Sequence, residues 1–113
     1  MKWLKRLFHI KDFHKEPRMY IIVRGDLSET YRLVQGAHAL AQYALEYPEE
    51  FKKWNNQYLI FLKVFNLISL YDLMEYRFKK AKISVFKEPD LDNQPTAIAI
   101  LCDGKIIKDL SLA

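Results

Sequence analysis

The sequence predicts an α/β domain with a small mixed sheet of four strands, helices on both faces and the element order β-α-β-α-β-β. Three observations carry this. The run at 19–24 (MYIIVR) is apolar on both faces, as a central strand covered on two sides requires, and that at 58–64 (YLIFLKV) is nearly continuously apolar. Two helical segments stand between strands, which favours crossovers within a mixed sheet. No repeat or linker divides residues 19–113, and 113 residues suffice for one core that needs neither disulfide nor metal.

The first strand, 19–24, ends at Gly25. Ser28 is the N-cap of a helix over 29–47, with Glu29 placed favourably against its dipole. Pro48 suits the first turn of a short helix that ends near Asn55 and Asn56. The second strand, 58–64, leads to a second amphipathic helix over 69–80, where Leu70, Leu73, Met74 and Phe78 recur at helical spacing. Lys79 and Lys80 complement its C-terminal end. A third strand at 83–86 enters the polar loop 87–95, and a fourth runs from Thr96 to Cys102. Asp103 and Gly104 mark a turn, after which 105–112 offers a short returning edge strand.

Charge is unevenly placed. Of the formal +4, residues 1–18 carry six basic against two acidic side chains, while 19–113 balance at twelve and twelve. The basic character therefore belongs to an N-terminal arm, which puts Trp3, Leu4, Leu7 and Phe8 on one helical face. This arm, 1–18, lacks the apolar core and small-residue cleavage site of a secretory signal and the length of a membrane span. Docking on its own domain or on a second subunit, as in a homodimer, contact with RNA phosphates and adsorption to an anionic membrane surface all fit its pattern. Cys102 is the only cysteine and has no His/Cys cluster around it, so a reducing, cytoplasmic compartment and a metal-free domain are expected. Ile100 and Leu101 make it an ordinary strand thiol.

At about 100° per residue, Tyr31, Gln35, His38 and Gln42 fall within about 60° of one another on the first helix. Val34, Ala37, Ala41, Ala44 and Leu45, continued by Leu33 and Leu40, form the broad apolar sector expected to pack on the sheet. The polar stripe then borders the core, either as satisfied boundary residues or as the wall of a cleft. Ligands of open α/β sheets bind outside the carboxyl ends of the strands. Arg24 and Asp26 leave the first strand there, and Asp90 in the loop 87–95 faces His38 across the same cleft if strands one and three are parallel.

These residues resemble the type 2 peptidyl-tRNA hydrolase family over about residues 18–112. The resemblance rests on VRGDL at the end of the first strand, VQGAHA in the helix, an aspartate after the third strand and the final strand TAIAI. It implies hydrolysis, without metal or other cofactor, of the ester between a peptide or blocked amino acid and the 3′ end of tRNA. By position, the resemblance marks Gln35, His38, Asp90 and Thr96 as catalytic. Such chemistry needs an activated water and donors for the oxyanion. Asp90 and His38 would hold the water, and Gln35 and Thr96 would donate to the carbonyl or position the ribose. Arg24, Asp26, Tyr31 and Gln42 would contact the substrate. The chain departs from the family in two places: Tyr31 stands where the family has a lysine, and only a short segment joins Asp90 to Thr96. Arg24 is the candidate for the missing cation. The alternative reading is a non-catalytic member of the fold that binds tRNA or a protein partner.

Overall fold

The computed structural model describes residues 17–113, so residues 1–16 of the expected arm lie outside the described residues. Arg18, which the sequence reading gave to the arm, is the first residue of strand β1 (Arg18–Arg24). The chain continues through α1 (Glu29–Glu46), α2 (Pro48–Trp54), β2 (Leu59–Val64), α3 (Leu67–Asp72), β3 (Ile83–Glu88), β4 (Gln94–Cys102) and β5 (Ser111–Leu112). The α/β class holds, and the sheet has five strands in the order β3-β4-β1-β2-β5. The fifth is the tail. A 3-10 turn at Lys105–Ile107 buries Ile107 and brings Ser111–Leu112 alongside β2.

β1 pairs parallel to β2 and antiparallel to β4, and β4 pairs antiparallel to β3, so β1, β2 and β3 point the same way. Strands β1 and β4 occupy the centre and are covered on both sides. On one side Met19, Ile21, Val23, Ala97 and Ala99 meet α1 and α2 through Ala39, Tyr43 and Trp54. On the other, Tyr20, Ile22, Ile98 and Ile100 meet Leu70, Leu73, Phe78 and Ile107.

Local signals explain most boundaries. Ser28 caps α1 by accepting from the Tyr31 backbone N–H, and Pro48 opens α2, whose end is set by Asn55 in the left-handed region at φ 54°. Two boundaries differ from expectation. Asn66, whose side chain accepts from the Ser69 N–H, starts α3 two residues before the expected 69. Its continuation at Leu73–Arg77 widens into a π turn, with Phe78 N–H donating to Leu73 C=O, so Lys79 and Lys80 fall beyond the helix. The loop expected at 87–95 is a β-hairpin. β3 extends to Glu88 and β4 begins at Gln94, around a 3-10 turn at Pro89–Leu91, and Asp92 and Asn93 supply the left-handed conformations at φ 53° and 59°. The polar composition of this segment reflects the turn residues and the bulge at Phe86/Lys87, where the ladder shifts to seat Pro95.

The largest departure is the rotation of α1. Its buried residues are Gln35, Gly36, Ala39 and Tyr43, whereas Leu33, Val34, Ala37, Ala41 and Leu45 of the expected core face are exposed. Of that sector only Leu40 joins the core. Close approach of α1 to the sheet is the reason: a Cβ on Gly36 would collide with the Phe61 ring and lie 3.0 Å from Ile21 Cγ2. Gly36 faces Phe61 and Ile21 here, so the space between helix and sheet, and not hydrophobicity alone, favours the packed side.

Gly36→Ala tests this. The substitution gains roughly 1 kcal/mol of helix propensity but overpacks the contact with Phe61, so the expected result is a net loss of about 1–2 kcal/mol in urea denaturation.

Candidate functional site

The stripe Tyr31, Gln35, His38 and Gln42 lies on the flank of α1 that faces the β3–β4 hairpin. Gln35 and Thr96 are both wholly buried. Thr96 is the first residue of the apolar part of β4 and points toward α1 beneath Gln35. Its hydroxyl donates to Gln35 Oε1 at 2.5 Å, and Gln35 Nε2 donates to Glu88 Oε1 at 3.0 Å. The Tyr31 hydroxyl donates to that same carboxylate oxygen at 3.2 Å. Four side chains from α1, β3 and β4 thus form one hydrogen-bonded chain, closed at the core end and open at Glu88, which is half-buried. Loss of solvent contact first, and then the Glu88 carboxylate, hold the Tyr31 phenol above its ordinary pKa, so it remains the donor at neutral pH.

His38 is placed differently. Its ring stacks on Phe86 with centroids 4.3 Å apart and planes within 8°. Asp90 sits in the hairpin turn, exposed, and no direct hydrogen bond or ion pair joins it to His38 among the described residues. The topological condition for the two to face one another is met, since β1 and β3 are parallel; Asp90 lies near enough to act on the Tyr31 phenol, while Glu88 is the carboxylate bonded to α1. Gln42 is half-buried further along the flank.

Arg24 and Asp26 hold each other. The Arg24 guanidinium is buried, donates through Nε and Nη2 to the two Asp26 carboxylate oxygens at 3.1 and 2.8 Å, and through Nη1 to Gln94 Oε1 at 2.9 Å. A longer contact at 3.4 Å reaches the Pro95 carbonyl. The bidentate bond, more than proximity of charge alone, keeps the Asp26 carboxyl below its ordinary pKa. Arg24 therefore fastens the β1 end to the start of β4, and as a replacement for the family cation it is already engaged.

Sequence reading missed Glu88, Phe86 and Gln94 as partners of the site. The available signal was alternation: Phe86 and Glu88 stand two apart on one strand face once β3 is extended to Glu88. Cys102 is partly buried, and that burial pushes its thiol up, away from the reactive thiolate. No three His, Cys, Asp or Glu side chains among the described residues are grouped as metal ligands. A separate open cleft of about 670 Å³ lies beyond the carboxyl ends of β1 and β2, lined by Gly25, Asp26, Lys63, Phe65, Asn66 and Ser111. It sits where the chain leaves β1 toward α1 on one sheet face and leaves β2 toward α3 on the other.

Two expectations follow from these bonds. Thr96→Val leaves the buried Gln35 Oε1 without its donor and should cost about 1–3 kcal/mol. Combined with Gln35→Met, the loss should fall short of the sum by at least about 0.5 kcal/mol in a urea-denaturation cycle. Because Asp26 titrates lower in the folded protein, its pairing contributes in full above the ordinary aspartate pKa of 3.8 and is lost as pH falls through the lowered value. Asp26 is 40% exposed. Asp26→Asn should then cost at most about 1 kcal/mol at pH 7, and the difference from the parent should close as pH falls well below 3.8.

No protein-family model matches the chain, and no curated protein does. Among solved structures, the chain is similar to a protein of unknown function, Atu0240, from Agrobacterium tumefaciens strain C58. The similarity covers 87% of this chain and 98% of that one, at a TM-score of 0.64 and 16% identity. At that identity the likeness shows a common fold.

Proposed function

We propose that this chain is a non-catalytic binding module of a peptidyl-tRNA hydrolase-like fold. The observation that carries the reading is the complete burial of Gln35 and Thr96 in a bond to each other. Ester hydrolysis needs donors about 2.7–3.1 Å from a developing oxyanion. An amide and a hydroxyl without exposed surface reach no substrate unless their own bond breaks. Two further features support the same reading: Arg24 is held by Asp26, and Tyr31 brings a neutral phenol to the position of the family lysine.

The partner is a protein rather than tRNA. Residues 19–113 have equal numbers of basic and acidic side chains and so bring no net positive charge to phosphate, whereas Phe65, which lines the cleft at the β1 and β2 ends, is 83% exposed, and Ile68 in α3 is 70% exposed. Lys63 and Asp26 give that cleft a polar rim around an aromatic anchor, the common anatomy of a protein-binding pocket. No helix among the described residues is long and apolar enough to cross a membrane. The lone Cys102 fits a cytoplasmic site of action.

The hydrolase reading retains one specific support, the Glu88 carboxylate at the open end of the chain, held by Tyr31 and Gln35 and within the sector that carries His38. One assay separates the two readings. With N-acetylaminoacyl-tRNA, the folded parent protein should show no turnover above the uncatalysed rate, and none that changes in His38→Ala or Glu88→Gln. Turnover that drops by about two orders of magnitude or more in either variant would establish the hydrolase.

A further inference from the structure

We propose that the cleft at the β1 and β2 ends takes an acidic segment of a partner protein, a side-chain carboxylate set beside a large apolar residue. The proposal rests on the reading of this cleft as a protein-binding site and names the chemistry the cleft selects. Its lining groups can each be followed to their use. Both carboxylate oxygens of Asp26 accept from the Arg24 guanidinium, so that pair brings no net charge to the rim. The Gly25 N–H donates to the Val64 carbonyl at 2.7 Å. Asn66 uses its side-chain oxygen to cap α3, accepting from the Ser69 N–H and hydroxyl, which leaves its NH2 as a donor.

What remains is a set of donors with one net charge. The Lys63 ammonium, the Asn66 NH2 and the Ser111 hydroxyl all line the cleft, and none has a hydrogen-bond or ion-pair partner among the described residues. Ammonium and amide NH2 groups can only donate, and a hydroxyl can donate too. Lys63 and Ser111 are register partners in the β2–β5 ladder, so their side chains stand on one face with Cβ atoms about 5 Å apart. A carboxylate has two oxygens to receive them, in charge-assisted bonds about twice as strong as neutral ones. Phe65, two residues after Lys63 and exposed, receives the apolar neighbour. An amine or guanidinium would instead meet like charge at Lys63 and find both Asp26 oxygens engaged. The cleft volume of about 670 Å³ is that of a site for a group of small-molecule size, so a short peptide segment suffices.

Panning a phage-displayed library of randomised short peptides on the full chain, and in parallel on Lys63→Glu and Phe65→Ala, tests the proposal. Lys63 and Phe65 are exposed, so both variants should melt with the parent. Peptides selected on the parent should carry Asp or Glu close in sequence to Leu, Phe or Trp. Those selected on Lys63→Glu should carry Lys or Arg in that place. A synthetic peptide from the parent set, blocked at both ends so that only side-chain carboxylates can answer, should shift the amide NMR signals of Lys63, Phe65, Asn66 and Ser111. It should bind Lys63→Glu at least about tenfold more weakly. Parent-selected peptides without an acidic preference, or with one that persists on Lys63→Glu, would overturn the proposal and leave the cleft a protein-binding site. Selection no richer on the parent than on Phe65→Ala, or a peptide that shifts signals only elsewhere, would overturn the reading of the cleft itself.

Discussion

The bond between Thr96 and Gln35 sets how α1 is turned about its own axis, and most of what distinguishes this molecule follows from that setting. A buried amide has to be satisfied, and Thr96 on β4 supplies the hydroxyl. Gly36, one residue on, permits the approach by leaving room for Phe61 and Ile21. With those two residues directed at the sheet, the stripe from Tyr31 to Gln42 is turned toward the β3–β4 hairpin, and Leu33, Val34, Ala37, Ala41 and Leu45 are turned outward. The same rotation that closes the polar site opens the apolar face.

This coupling relates the chemistry to the surface. In an ester-hydrolysing cleft the amide and hydroxyl would need to be available to substrate, and α1 would present them at a solvent boundary. Here they are used as structural groups, Tyr31 and Glu88 continue the chain outward, and Arg24 is occupied by Asp26 and Gln94. The polar network is fully connected from core to surface, the condition under which buried polar groups specify one packing rather than destabilise it. The exposed apolar features include the helix face and the cleft marked by Phe65.

The sequence disclosed the strands, the caps and the positions of the site better than it disclosed orientation. β1 and β4 were legible because residues buried on both faces leave an unbroken apolar run, and Ser28 and Pro48 marked their helix starts through backbone chemistry that is local. Gln35 and Thr96 were legible as site residues, and the structure does bring them together. The rotation of α1 was not legible. Its apolar residues occur nearly all round, and the packed side depends on the Gln35–Thr96 bond and on the room Gly36 leaves for Phe61, both between residues distant in the chain. The hairpin was hidden for a related reason: turn residues and Pro95 read as loop, while the ladder that extends β3 to Glu88 depends on a bulge in its pairing with β4. Glu88, absent from the sequence expectation, is the carboxylate that bonds Tyr31 and Gln35.

The setting of α1 is tested most directly by solvent exchange of the Gln35 side-chain amide protons, followed by NMR. Gln42, half-buried on the same flank, provides the internal reference. If Gln35 is locked against Thr96 and Glu88, its amide protons should exchange about a hundredfold or more slowly than those of Gln42, since exchange requires the helix to open from the sheet. Exchange of the Gln35 amide as fast as that of Gln42 would contradict the account, because the amide would then be available at the surface and the site open.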